Sequence, residues 1–280
     1  VGIWALAPHV RALGDERGRF FTSIAFALFI GGAMYLIYLA VEPYVRRSWP
    51  TALMSWTRLL SGKTQDPFVG RDLLIGVACG LIMTLLTHLE RFLPVVMGWP
   101  EPIPSFGIQL SGLNGLRMFL AAVLNQINQG VQSGLVNVLA IGMVRVLAHR
   151  LMGRFKIGRV SVDAVTRVIC IGAVSLVVAV DYSGDTRHLR LPLLCAQLSL
   201  IVLLLLIERV GILATLFAYS AMFLTTRIPI TFDGSRFYAG QGWVVMLVLI
   251  LLASLGFKWA RAGEPLLGEA AQPQQVPTRS

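Results

Sequence analysis

Seven stretches of this chain, at 20–41, 73–89, 116–148, 164–180, 191–207, 210–226 and 241–257, each run for 17 residues or more with no more than two charged side chains. No other feature limits its fold so tightly. A hydrocarbon core about 30 Å thick is crossed by about 20 residues of helix, or by about 17 where the bilayer thins or flanking residues snorkel. Inside that core no water can bond a stray N–H or C=O, so each run has to close its hydrogen bonds within itself, as a helix. The pattern predicts an all-α, polytopic membrane helix bundle of about seven spans. Only 14% of the residues are charged, against about 25% in soluble domains, and the mean hydropathy is +0.72.

Loop charge predicts the orientation. If 116–148 crosses once, then 42–72, 149–163, 208–209 and the C-terminal tail share one side, which holds 15 of the 24 Lys and Arg residues when Arg145 and Arg167, near span ends, are assigned to the nearer face. The positive-inside rule makes that side cytoplasmic, with the C-terminus inside. Two full crossings by 116–148 would put the later basic loops on the opposite face. Its 33 residues leave two forms open, one long tilted or kinked helix or a re-entrant segment followed by a span.

The net charge of +10 sits in short clusters beside the apolar runs, where anionic lipid head groups would meet it. Membrane lipids are therefore the expected partner, and nucleic acid is not. Cys79, Cys170 and Cys195 lie inside apolar runs without a CxxC pair, and read as small buried hydrophobes. "VGIWALAP" at 1–8 is apolar without a basic leader, and reads as the end of an upstream span of a longer chain. Residues 9–262 form the expected multi-span domain, and the Pro- and Gln-rich tail 263–280 is expected to be disordered.

The first run stops at "EPYVRRSWP", residues 42–50. Pro43 lacks an N–H and disfavours helical geometry at Glu42, so the helix is expected to end there. Arg46 and Arg47 would then meet head groups, with Tyr44 and Trp49 at the interface. In the following "WPTALMSWTRLL", Trp49, Leu53, Trp56 and Leu60 fall on one helical face and Arg58 on another, a pattern for an amphipathic helix lying along the membrane surface.

Polar residues inside the membrane are the main site candidates. Asn125, Asn128, Gln129 and Gln132 follow i, i+3, i+4, i+7 spacing, so one face of the third run carries four amides. An unsatisfied amide in hydrocarbon costs several kcal/mol, so this face is expected to look into the bundle or a wet cavity. It serves either as interhelical hydrogen-bond glue, the favoured reading, or as a solute path or ligand site. GxxxG pairs at Gly76/Gly80 and Gly130/Gly134 permit close helix contact and favour the glue.

Other motifs carry less. His9, His88 and His188 fall on the predicted outer side without ligand spacing, so no metal site is expected. "SGKT" at 61–64 lacks the earlier glycine and strand of a phosphate-binding loop. The loop 227–243, with a turn at Asp233 and Gly234, reads as an outer segment folding back onto the head-group zone before the last span.

"LIYLAVEPYVRRSWP", "LMSWTRLLSG", "DPFVGRDLLIG" and "RIPITFDGSRFYAG" together resemble the integral-membrane C-terminal region of bacterial eukaryotic-like serine/threonine protein kinases, over about His9 to Leu267. The resemblance implies an upstream cytoplasmic kinase domain as partner, which would use ATP and Mg. It also implies residence in the bacterial cytoplasmic membrane and an anchoring or sensory role for this segment. The positions matching the family's cytoplasmic linker, 42–72, are Glu42, Pro43, Tyr44, Arg46, Arg47, Trp49 and Pro50, then Ser55, Trp56, Arg58 and Leu59, then Asp66, Pro67, Gly70, Arg71 and Asp72. The kinase motifs themselves are missing from this sequence, and "FDGS" at 232–235 is not DFG, so no catalytic residue and no cofactor carries over. A small-solute transporter or channel using the amide face is the alternative expectation.

Overall fold

In the computed structural model, which describes residues 5–6, 13–48, 53–98, 110–155, 162–181, 190–231 and 233–261, every regular element is helical. The elements are α1 (Leu13–Ser48), α2 (Met54–Leu60), α3 (Pro67–Val96), a 3-10 turn (Leu110–Asn114), α4 (Leu116–Phe155), α5 (Val162–Asp181), α6 (Arg190–Arg209), α7 (Ile212–Arg227) and α8 (Ala239–Ala260). Among the described residues five helices, α1, α3, α4, α6 and α8, are long and apolar enough to cross a bilayer. Their outer faces carry exposed Phe and Leu, such as Phe21, Phe26 and Phe29 on α1, an apolar surface of the kind lipid covers. With 16 residues, α7 spans only about 24 Å.

This short helix is the centre of the bundle. Eleven of its residues are buried, against α3 and α4 above all, with α2, α6 and α8 completing the enclosure. The two glycine pairs explain why it fits. A methyl group added at Gly76 would fall 2.5 Å from the Ala214 carbonyl oxygen, and one added at Gly80 would collide with the Ala218 carbonyl. On α4, a methyl at Gly130 would fall 2.5 Å from the Ser220 Cα, and one at Gly134 would lie 3.1 Å from the Leu216 Cα. Both GxxxG seams therefore seat the same helix at backbone contact, where dispersion rather than the hydrophobic effect supplies the attraction in lipid.

These pairings also give directions. Residues 76, 80 and 84 meet 214, 218 and 225 in ascending order, so α3 and α7 run parallel; the Thr84 and Thr225 hydroxyls close that register at 2.6 Å. Residues 130 and 134 meet 220 and 216, so α4 runs the other way. The starts of α3 and α7 thus share one end of the bundle with the finish of α4. At that end Arg145 pairs with Asp163 at 2.7 Å and Arg167 with Glu208 at 2.6 Å, joining α4, α5 and α6.

Several expectations change. The first helix does not stop at Glu42: α1 continues through Pro43 to Ser48. A proline removes one hydrogen bond and bends the axis without having to end a helix, and stopping would leave several carbonyls unpaired instead of one. Of the two forms open to the third run, the structure has the single long helix, α4, whose 40 residues amount to about 60 Å, twice a hydrocarbon core. The predicted surface helix shrinks to the seven residues of α2, and its apolar face is not spread on a membrane. Leu53 is buried and Trp56 half-buried against a cluster that includes Val138, Ile207, Ile212 and Leu216. Leu60 alone of that face's described members stays exposed. The start of segment 227–243 turns into the bundle rather than onto the head-group zone, with Ile228 and Ile230 packed on Leu224, Val245 and Leu249. The tail 263–280, and most of 1–8, lie outside the described residues.

Candidate functional site

The described linker residues assemble into one corner where α2 meets the start of α3. Asp66 is the cap of α3: its Oδ1 accepts from the Phe68 N–H at 2.9 Å, with extended backbone at φ −83° and ψ 137°. Pro67 follows in the first helical turn, where its missing N–H costs nothing. Asp66 Oδ2 accepts from Arg58 Nη1 at 2.6 Å, which ties α2 to α3. Two guanidiniums lie against the Phe68 ring, Arg58 at 4.5 Å and Arg71 at 5.3 Å from its centroid.

Below this surface layer Asp72 is fully buried. Its Oδ1 accepts from Arg71 Nε at 3.1 Å and Nη2 at 2.9 Å. Oδ2 has no partner of full hydrogen-bond geometry, although the buried Ser55 hydroxyl lies beside the carboxylate. Gly70 supports the other flank, because any side chain there would collide with the backbone of Gly256 and Ala260 at the end of α8. The Asp-Pro-x-x-Gly-Arg-Asp sequence at 66–72 is thus read residue by residue in the fold: cap, first turn, crossing point, surface cation and buried carboxylate. Glu42 is half-buried and Pro43 exposed on α1. The side chains of Tyr44, Arg46 and Arg47, and residues Trp49 and Pro50 entirely, lie outside the described residues.

The amide face is not gathered into the bundle as expected. Asn128 is exposed, and Asn125, Gln129 and Gln132 are only half-buried, because the Gly130/Gly134 seam occupies the inward face of α4. Gln129 Oε1 accepts from Arg227 Nη1 at 2.8 Å, and the guanidinium also lies 4.2 Å from the Phe223 ring centroid, so this cation folds back along α7. The amide that does enter the core is Gln126, fully buried with Oε1 and Nε2 both without a hydrogen-bond partner. Sequence reading missed it, although it extends the glycine seam at i, i+4, i+8. Gln129→Leu is expected to lower thermal stability in detergent by an amount equivalent to about 1 kcal/mol, through loss of the Arg227 acceptor. Asn128→Leu should leave the melting temperature unchanged; equal melting of the two variants would contradict these placements.

The turn at 61–64 is not a phosphate cradle. The Gly62, Lys63 and Thr64 N–H groups donate to the carbonyls of Leu59, Arg58 and Gly62, so none is left to converge on an anion. Cys170 and Cys195 are buried and Cys79 is half-buried, packed near Ala214 and Ala218. Among the described residues no three His, Cys, Asp or Glu side chains are grouped to hold a metal ion; His9 and His188 lie outside them. No protein-family model, curated protein or solved structure matches this chain.

Proposed function

We propose that this chain is a membrane-anchoring domain, and that the upstream cytoplasmic domain it anchors is the serine/threonine kinase implied by the linker's resemblance. The observation carrying the anchoring role is the doubly clamped α7. A helix seated by backbone contact on both sides fills the space a solute path would need, and such packing favours a rigid support over a conduit. The folded corner at 53–72 adds to this reading, since a capped, ion-paired turn holds α2 fixed to the start of α3 as a rigid support would require. In this proposal α5 and α7 also cross, giving seven spans with the corner, the end of α4 and the end of α8 in the cytoplasm.

Single cysteines at positions 63 and 156, and at 185 and 235, in a chain lacking its three native cysteines, test the arrangement. A membrane-impermeant thiol reagent added to intact cells should label 185 and 235 only; labelling at 63 or 156 would reverse it. The kinase reading has its own test in the coding sequence before Val1, which should encode GxGxxG, a strand lysine, HRD and DFG. A reading frame without them removes the kinase and leaves the anchor.

One observation favours a second reading. The unpartnered Gln126 amide, near Gln129 and Arg227, is the polar material a small-solute transporter or channel would use. Solute flux into vesicles containing this chain, abolished by Gln126→Leu with the fold intact, would place that reading first.

A further inference from the structure

Where α3 and α7 finish and α4 and α8 begin, the seam between α4 and α7 changes character. Deeper in the bundle Gly134 meets Leu216 and Gly130 meets Ser220 at backbone contact. The same antiparallel register carries the seam one turn further, to Gln126 on α4 and to Phe223 and Leu224 on α7, and two deficits fall at that level. Arg227 folds back from the last turn of α7, away from the terminal carbonyls that would take its charge, to lie 4.2 Å from the Phe223 ring centroid. Its one hydrogen bond goes to a neutral group, Gln129 Oε1, at 2.8 Å, and no carboxylate pairs with it among the described residues. Glu90, near the finish of α3, lies toward Cys195 of α6 instead. The other deficit is Gln126, fully buried with neither amide atom bonded. One turn toward the start of α4, Ala122 packs beside Gly112, and there Gln241 Nε2 donates to the Gly112 carbonyl at 2.8 Å while its Oε1 is buried without a partner.

We propose that this level of the bundle is a binding site for a small hydroxy carboxylate. A half-buried guanidinium without a counter-charge and a buried amide N–H2 without an acceptor are each costly, and one carboxylate answers both. The planar fork of Arg227 fits the two oxygens of a carboxylate side by side, while Gln126 Nε2 donates from the deep side. The two orphaned acceptors, Gln126 Oε1 and Gln241 Oε1, call for a donor, which a hydroxyl beside the carboxylate supplies and a halide lacks. A single cation matches a single negative charge. The Gly130 contact with Ser220 closes the site beneath, so the ligand enters past the half-buried Arg227 and leaves the same way. It is held between α4, α7 and the start of α8 without being conducted, which gives the anchor something to sense. This inference rests on neither the kinase nor the solute path.

The test melts the full 280-residue chain in a non-ionic detergent at matched concentrations of sodium glycolate, sodium acetate or sodium chloride. Chloride sets the effect of salt alone. Glycolate should raise the melting temperature above that baseline, increasingly with its concentration, and acetate, without the hydroxyl, should need roughly ten-fold more for the same shift. Arg227→Gln should lose the glycolate shift, whereas Arg236→Gln, on the turn that follows, should keep it. Gln126→Leu is the sharpest variant. Replacing an unpartnered amide by an apolar group of similar size should leave the ligand-free chain at least as stable, yet remove most of the shift. A lower melting temperature with the shift intact would mean a purely structural Gln126 and overturn the site, as would equal melting in all three salts. Acetate as effective as glycolate overturns the hydroxy acid, and octanoate more effective than glycolate would mean a lipid-derived acid and overturn the soluble one. Passage of labelled glycolate into vesicles holding the chain would overturn the closed site and put the transporter reading first, a result separable from binding because the melts need no membrane.

Discussion

Gly130→Leu is expected to unseat α7 and leave the chain aggregated or melting far below its parent in detergent. Even a single methyl at position 130 would fall 2.5 Å from the Ser220 Cα and 2.6 Å from its backbone nitrogen, and neither atom can turn away as a side chain would. Overpacking a well-filled core costs about 1–3 kcal/mol, and with backbone on both sides the cost should reach the top of that range or beyond. Its consequences should spread, because α7 is the helix that α3, α4, α6 and α8 share. Gly172→Ala provides the contrast. A methyl there meets nothing within 4 Å, so the change should be neutral or slightly stabilising through helix propensity, by at most about 1 kcal/mol. Parallel thermal melts and size-exclusion profiles measure both. A Gly130→Leu chain that remains monodisperse with an unchanged melting temperature would contradict the seating of α7.

The second large effect is expected at Arg71, and it should be asymmetric. Asp72 is fully buried while the Arg71 side chain is 47% exposed, so removing one partner is not equivalent to removing the other. In Arg71→Met the carboxylate stays buried, with its two strongest donors gone. Breaking a buried pair this way costs about 3–5 kcal/mol where both ends are buried, and access to water on the arginine side lowers the expectation to about 2–3 kcal/mol. In Asp72→Asn the guanidinium turns to water and the amide keeps a hydrogen-bonding group beside Ser55; a loss of about 1 kcal/mol is expected. The double variant should be more stable than Arg71→Met alone. A double-mutant cycle on melting free energies reads the coupling directly, and an Arg71→Met chain no weaker than the Asp72→Asn chain would show that the carboxylate is not held as described.

The corner around Arg71 also separates what residue patterns reveal from what they conceal. Asp66 and Pro67 are legible as a helix start, because a cap and a first-turn proline act within one turn of their own chain. Asp72, six residues further on, matches the linker pattern without any sign of its role. Its burial depends on Ser55 from α2 and on the level at which α3 enters the bundle, neither of which has a local signature. Gly70 belongs to the same pattern, yet only the arrival of α8, nearly 190 residues later, explains why no side chain fits there.

By itself the sequence determined that the chain is helical, that several helices have membrane length, and that two glycine pairs mark close contacts. These follow from hydropathy and spacing along one strand of chain, and lipid enforces them because it offers the backbone no alternative partner. Only the tertiary structure decided that both glycine pairs grip the same short helix, that Pro43 lies inside α1, that 116–148 is a single helix and that Gln126 rather than Asn128 enters the core. The inward face of α4 is chosen by where α7 comes closest. Four amides can define a stripe, but two glycines set the distance of approach, and dispersion between backbones in contact outweighs the amides, which find partners such as Arg227 on the seam's flank.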